Sequence, residues 1–344
     1  MQVKKTLLNR AICSGAFFAA AASILWFKRM RIGPFFHRRV AVISGGSRGL
    51  GLLLAREFAR KGAILVLLAR DAHELQRAER ILSRQNASVK SIACDLTDPK
   101  QIQRAVDAIL KEFGRIDVLV NNAGIIQVGP YRHMGASDYH SAMAVHFWAS
   151  YHLVNAVVPY MRLRKWGRIV NISSLGGRIA VPHLLPYTCS KFALTGFSDG
   201  LCSELAREGI RVTTVIPGLM RTGSHVRAVF KGRRTSEFAW FSFGASLPGV
   251  SVNARRAARS IVRACKRGSP TLIIGISARI AIAAQALLPE SFSRIMQFVN
   301  AFLPGETAEE NENITGSKSR DPKISPVITW LADKEIEKNN EAEK

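Results

Sequence analysis

Residues 39–218 predict an α/β protein built on a doubly wound parallel sheet, and three observations carry that prediction. Short aliphatic runs alternate with stretches of helical period, the pattern of strands buried on both faces between crossover helices. The first strand-to-helix turn is rich in glycine, which marks a tight turn and a close approach of backbone to something else. A chain of 344 residues with 47% hydrophobic content fills the core of one large domain and leaves residues over for extensions at both ends.

The first strand is read over 39–45 (RVAVISG) and is followed by a helix from about residue 49. A strand over 63–69 (AILVLLA), a helix over 71–86, a strand over 89–95 (VKSIACD) and a helix over 98–113 come next. Asp98 ahead of Pro99 is an N-cap followed by proline in the first turn. The strand over 116–124 (IDVLVNNAG) leads into a long helix that holds AVHFWAS at 144–150. A strand over 167–173 (GRIVNIS), a helix from about 187 and a strand over 210–218 (IRVTTVIPG) complete the alternation. Sheets of this kind bind nucleotides in the crevice at the carboxyl ends of their strands.

The turn SGGSRGLG spaces Gly45, Gly49 and Gly51 as GxxxGxG. Bare backbone and a helix N-terminus at that point suit a pyrophosphate. An acidic residue near the end of the second strand commonly holds a ribose 2′-hydroxyl, whereas a 2′-phosphate needs cations. Here the strand ends in Ala69 and Arg70, and Arg48 sits inside the glycine turn. Two guanidiniums near one position favour NADP(H) over NAD(H); taken singly, either is also an ordinary solvated arginine.

Three further pieces follow in order: NNAG at 121–124, the pair Ser173 and Ser174, and YTCSK at 187–191, with PGLMRT at 217–222 after them. With the glycine turn they resemble the short-chain dehydrogenase/reductase family over roughly residues 38–270. The resemblance implies a Rossmann fold and an oxidoreductase that interconverts carbonyl and hydroxyl groups, with hydride passing between a nicotinamide and the carbonyl carbon. It implies that Tyr187 exchanges a proton with the carbonyl oxygen, Ser174 hydrogen-bonds that oxygen, and Lys191 holds the nicotinamide ribose. By the same implication Gly45, Ser47, Arg48, Gly49, Leu50 and Gly51 lie along the cofactor with Arg70. Asp95 and Leu96 stand at its adenine, Asn122, Ala123 and Gly124 along its channel, and Pro217, Gly218 and Thr222 at its nicotinamide end. Asp95 also has a plain reading as a cap before a helix.

The chemistry accounts for the motif. Tyr187 and Lys191 are four residues apart and share a helix face. Bringing a phenol from a pKa of about 10 to near 7 needs about 4 kcal/mol. A cation about 4–5 Å away supplies roughly 3–4 kcal/mol at an effective dielectric of about 20. One position departs from the family. Its members usually carry an asparagine 22 residues beyond the NNAG glycine, linking the lysine to water, and here that place is His146. An imidazole can hold a water, so His146 is a candidate for the proton relay and equally an ordinary core histidine.

Residues 223–250 form the segment that in this family closes over substrate, and Phe238, Trp240, Phe241 and Phe243 enrich it in aromatics. These either line a pocket for an apolar, lipid-like carbonyl or alcohol substrate or pack the segment onto the body. The domain boundaries follow: a membrane-anchor segment with a basic flank over 1–37, the catalytic domain over 38–270, an apolar helical extension over 271–304, and a polar tail over 305–344 expected to be disordered. The extension either lies at a membrane interface or packs on the domain.

Residues 11–27 carry no charge and are flanked by Lys4, Lys5 and Arg10 and by Lys28, Arg29 and Arg31. At ~1.5 Å per residue they span about 25 Å, the short end of a membrane crossing. An uncleaved anchor with the catalytic domain on the cytoplasmic side is the expectation, and a cleaved signal peptide competes with it. The formal charge is +24, and residues 1–304 alone carry 43 basic against 15 acidic residues. Such a body suits an anionic lipid surface or a phosphorylated cofactor. Without a zinc finger or an aromatic RNA-binding motif, no nucleic acid is expected. The five cysteines (Cys13, Cys94, Cys189, Cys202 and Cys265) are widely spaced and form no metal-ligand pattern, so no metal is expected and the thiols read as reduced. A homo-oligomer is a further expectation. A catalytically silent NADP-binding sensor or scaffold attached to a membrane is the alternative function.

Overall fold

The computed structural model describes residues 35–246, 251–305, 313–319, 333 and 335–341. The expected membrane anchor falls outside these except for residues 35–37. Among the described residues no helix is long and apolar enough to cross a membrane.

Seven parallel strands form the central sheet: β1 (Val40–Ser44), β2 (Ile64–Ala69), β3 (Val89–Ala93), β4 (Val118–Asn121), β5 (Gly167–Ile172), β6 (Ile210–Pro217) and β7 (Thr271–Ile274). Their order is β7-β6-β5-β4-β1-β2-β3, reversing direction at β1. Buried aliphatic side chains on both faces explain the near-continuous apolar reading of β1, β2 and β4. The helices α1 (Gly49–Ala59), α2 (Ala72–Ser83), α3 (Pro99–Phe113), α4 (Ala136–Met143), α5 (Ala149–Leu163) and α6 (Leu185–Glu204) are the crossovers. Asp98 caps α3 by accepting from the Lys100 amide at 2.8 Å, with Pro99 in the first turn, as its sequence predicts.

Two hydrophobic layers sandwich the sheet. Leu52, Leu54 and Phe58 of α1 pack with Ile43, Leu65 and Leu67 on one face. Ile102, Val106 and Ile109 of α3 and Leu153 and Val157 of α5 pack with Val40, Val42 and Leu119 on the other. Each such side chain contributes about 1.5–3 kcal/mol on burial.

Three sequence expectations change. The catalytic domain does not end at residue 270, and residues 271–304 are not wholly a helical extension. Thr271–Ile274 pairs with β6 as an edge strand of the main sheet, because the open edge of β6 offers unpaired backbone groups to the first extended apolar stretch beyond α8 (Ala254–Arg267). The apolar helices α9 (Ile276–Leu287) and α10 (Pro289–Ala301) follow, with α7 (Arg234–Ser246) in the aromatic segment before them. The polar tail is built into the fold where it is described. Ile314–Thr315 pairs antiparallel with Val229–Phe230, and residues 335–341 lie on the body with Asn339 and Asn340 buried. The long helix holding AVHFWAS is interrupted, since Ala144–Trp148 is a π-helical turn between α4 and α5.

Candidate active site

A cleft of about 690 Å³ opens at the carboxyl ends of the strands, where the sheet reverses direction and its loops diverge. Every cofactor or catalytic residue expected from the sequence lines it except Gly51 and His146, which lie behind its wall.

The glycine turn and the end of β4 form the floor. Ser44 Oγ accepts from the Asn122 and Ala123 amides at 2.9 and 3.1 Å. Asn122 Nδ2 donates to the Ser44 and Gly45 carbonyls, both at 3.1 Å. A Cβ at Gly45, where φ is +62°, would stand 2.9 Å from Ala123 Cα, and one at Gly51 would collide with the Gly45 carbonyl. The turn is therefore bare backbone held flat against its neighbours, a cradle that suits a dinucleotide pyrophosphate.

Helix α6, which carries Tyr187 and Lys191, is fastened to the sheet by buried polar bonds. Asn121 Nδ2 donates to Asn171 Oδ1 at 2.8 Å, Asn171 Nδ2 donates to Ser198 Oγ at 2.9 Å, and Thr214 Oγ1 donates to the same Ser198 oxygen at 2.8 Å. Ser173 Oγ donates to the Lys191 carbonyl at 3.2 Å. These bonds set α6 against the end of β5, where Ser174 sits. The Ser174 hydroxyl, which accepts from the Gly176 amide at 3.1 Å, stands on the same side of the cleft as the Tyr187 phenol and favours its ionised form.

Burial governs the ionisation of the pair on α6. It raises the Tyr187 phenol above its ordinary value, against the lowering effect of the Ser174 bond. It lowers Lys191 to about 7. The Lys191 ammonium donates to the Ile172 carbonyl at 2.8 Å and lies 5.8 Å from the Tyr187 ring centre. From the motif alone the lysine's charge is expected to lower the phenol; desolvation of both groups works against that and is the larger influence on each.

His146 is 1% exposed, and both of its ring nitrogens are occupied. Nε2 accepts from the Ile125 amide at 3.1 Å, which places the proton of the neutral ring on Nδ1. Nδ1 then donates to Ser190 Oγ at 2.7 Å, and that hydroxyl donates to the Tyr187 carbonyl at 2.8 Å. The ring meets the Tyr187 ring edge-on at 5.3 Å. Burial first, and the charge of Lys191 second, hold its pKa well below the ordinary histidine value. The imidazole is thus a neutral strut between the NNAG loop and the first turn of α6.

Asp95 Oδ1 accepts from the Thr97 amide at 2.9 Å while lining the cleft; it closes a turn and caps no helix, because Asp98 holds the N-cap of α3. Arg70 is exposed at the rim. Sequence reasoning missed three residues here: Glu74, Arg227 and Glu341. The Glu74 carboxylate accepts from Ser47 Oγ and Arg48 at 3.1 Å and from Arg227 at 3.2 Å. Glu74 reads from sequence as a first-turn helix acid, and the other two join the site only through long-range folding. At the opposite end Trp240 and Phe241 line the cleft, whereas Phe238 is 2% exposed and packs with Phe230. The aromatic segment therefore divides between the cleft wall and the body. No cluster of metal-ligating side chains occurs among the described residues.

Comparison with known proteins agrees with this geometry. The family model described as short chain dehydrogenase matches residues 39–230. A dehydrogenase/reductase SDR family protein 7-like of Anopheles gambiae is 32% identical over 276 residues, covering 78% of this chain and 86% of its own. A metagenomic short-chain oxidoreductase solved in complex with NADP is 38% identical, with a TM-score of 0.52 over 54% of this chain and 84% of its own. L-Sorbose reductase from Gluconobacter frateurii, solved with NADPH and L-sorbose, is 25% identical with a TM-score of 0.64, over 71% and 97%. The chain belongs to the short-chain dehydrogenase/reductase family and is an oxidoreductase acting on CH–OH and C=O groups.

Proposed function

We propose that the protein is an NADP(H)-dependent carbonyl reductase acting on an apolar, lipid-like ketone or aldehyde. The observation that carries the cofactor choice is the pair of guanidiniums Arg48 and Arg70 on the cleft wall, with Asp71, the acid that follows β2, engaged as the N-cap of α2 through the Glu74 amide at 2.9 Å. Relatives solved with NADP and NADPH support the same choice. Trp240, Phe241 and Leu184 on the wall near Tyr187 support an apolar substrate.

When bound, the nicotinamide supplies the hydride. In the direction of reduction the Tyr187 phenol donates its proton to the substrate oxygen, and its raised pKa keeps it protonated at neutral pH. Ser174 donates a hydrogen bond to that same oxygen and holds the carbonyl against the phenol. Lys191 places a charge beside the phenolate that forms, and His146 with Ser190 keeps the first turn of α6 in register. The expected role of His146 in a proton relay passes to one of positioning.

Membrane association is part of the same proposal, through the N-terminal segment and with the catalytic domain on the cytoplasmic side. The exposed Ile276, Ile280, Leu287, Phe298 and Phe302 of α9, α10 and their end, on a body of net positive charge, support a lipid-facing surface. The decisive experiment titrates the purified protein with NADPH and NADH and follows turnover with long-chain ketones and aldehydes. Tighter NADPH binding with turnover supports the reading; equal binding of the two cofactors refutes the cofactor choice.

A further inference from the structure

The described end of the tail occupies the groove that the cofactor reading assigns to the adenosine phosphates. Asn340 Nδ2 donates to the Ser47 carbonyl at 2.9 Å and to the Glu74 carbonyl at 3.3 Å, and Asn340 Oδ1 accepts from Arg77 at 3.0 Å. Asn339 Nδ2 donates to the Thr222 carbonyl at 3.0 Å on the opposite wall. Arg48 lies 3.5 Å from the Glu341 carboxylate, and Arg227 donates to the Glu341 carbonyl at 3.2 Å. A Cβ at Gly49 would run into Glu341 Oε1, so this carboxyl lies on the bare backbone that opens α1. Asn340 is 9% exposed and Glu341 3%.

Three residues of the tail therefore bridge the groove from Thr222 to Ser47, with a carboxyl group where the cradle presents its backbone and a guanidinium. We propose that residues 335–341 are an intrinsic competitor of NADP(H): the tail and the cofactor's phosphates use the same atoms of Ser47, Arg48 and Gly49, and the tail must leave before the cofactor binds. The inference rests on the reading of this cleft as an NADP(H) site. It also assigns Arg227 to the cofactor site as a third guanidinium beside Arg48 and Arg70, one that holds the tail when the cofactor is absent and faces the phosphates when the tail has left. Two ligands of one site divide it by their affinities: a tail docked about nine-tenths of the time weakens apparent cofactor binding about tenfold.

The test is a fluorescence titration of the full chain with NADPH, for the wild type, Asn340→Ala and the double variant Asn339→Ala/Asn340→Ala. The expected result is an apparent Kd lower by about tenfold in the double variant, with kcat at saturating NADPH unchanged. Trypsin cleavage after Lys338, which is exposed, gives a readout independent of turnover: NADPH accelerates it in the wild type as the tail is displaced. Equal Kd values in all three proteins, with cleavage indifferent to NADPH, overturn the competitor and leave the cofactor reading standing. Failure of every variant to bind NADPH removes both.

Discussion

Replacing His146 by alanine separates a positioning histidine from a proton relay. The substitution leaves the Ile125 amide without its acceptor and Ser190 Oγ without its donor, at a site 1% exposed. An unsatisfied buried group costs about 1–3 kcal/mol, and the space left by the ring adds a cavity term. The sum is about 3–5 kcal/mol, a large share of the roughly 5–15 kcal/mol that holds an ordinary domain together. Urea unfolding followed by circular dichroism reads this directly. His146→Asn, whose amide can restore one of the two bonds, should lose about half as much and keep most of the turnover. In the pH profile of kcat, both variants should retain whatever ionisation the wild type shows near neutrality, because that ionisation belongs to Lys191. Stability within about 0.5 kcal/mol of wild type, together with loss of a kinetic ionisation, would refute the reasoning and return the histidine to the relay.

Other consequences are as direct. Tyr187→Phe should lower kcat by about 10²–10⁴ while leaving NADPH affinity near wild type, as removal of a proton donor predicts. Lys191, lowered to about 7 by burial, binds fewer protons folded than unfolded between about pH 7 and its ordinary value of 10.5. Stability therefore rises with pH across that window, and Lys191→Met should flatten the rise measured by thermal unfolding. Its charge, present below about pH 7, supports the forming phenolate, so wild-type carbonyl reduction should slow as pH is raised through 7. Arg70→Ala should weaken NADPH by about tenfold or more and NADH much less, the loss of a charged hydrogen bond being worth about 1.5–3 kcal/mol. Gly51→Ala, whose methyl meets the Gly45 carbonyl, should abolish cofactor binding in a titration.

The sheet was legible because β1, β2 and β4 are apolar on both faces and are punctuated by helices of clear period. Ser174, Tyr187 and Lys191 were legible as an ordered motif, and the fold brings them to one cleft. β7 was not, because TLII runs into the apolar residues of α9 without a polar break, and strand character there comes from the edge of β6, more than fifty positions earlier. The π-helical turn at Ala144–Trp148 left no mark in the apolar period around it. His146 could be placed by its distance from Gly124, but its two partners could not, since Ile125 and Ser190 are joined only by folding. The tail defeated compositional reasoning: its polar, mixed-charge sequence reads as solvated, yet Asn339 and Asn340 satisfy backbone carbonyls that no local pattern announces. Glu74 shows the same limit at short range, because a helix first turn explains it fully until the fold brings Arg48 and Arg227 to its carboxylate.

The most direct measurement of the central claim follows deuterium from NADPH labelled at nicotinamide C4 into the alcohol formed from a long-chain ketone, by mass spectrometry of the product. The expected result is one deuterium at the carbinol carbon for each turnover by the wild type, from one face of the nicotinamide only, and negligible product with Tyr187→Phe. Product free of deuterium, or Tyr187→Phe reducing the ketone at the wild-type rate, would contradict it.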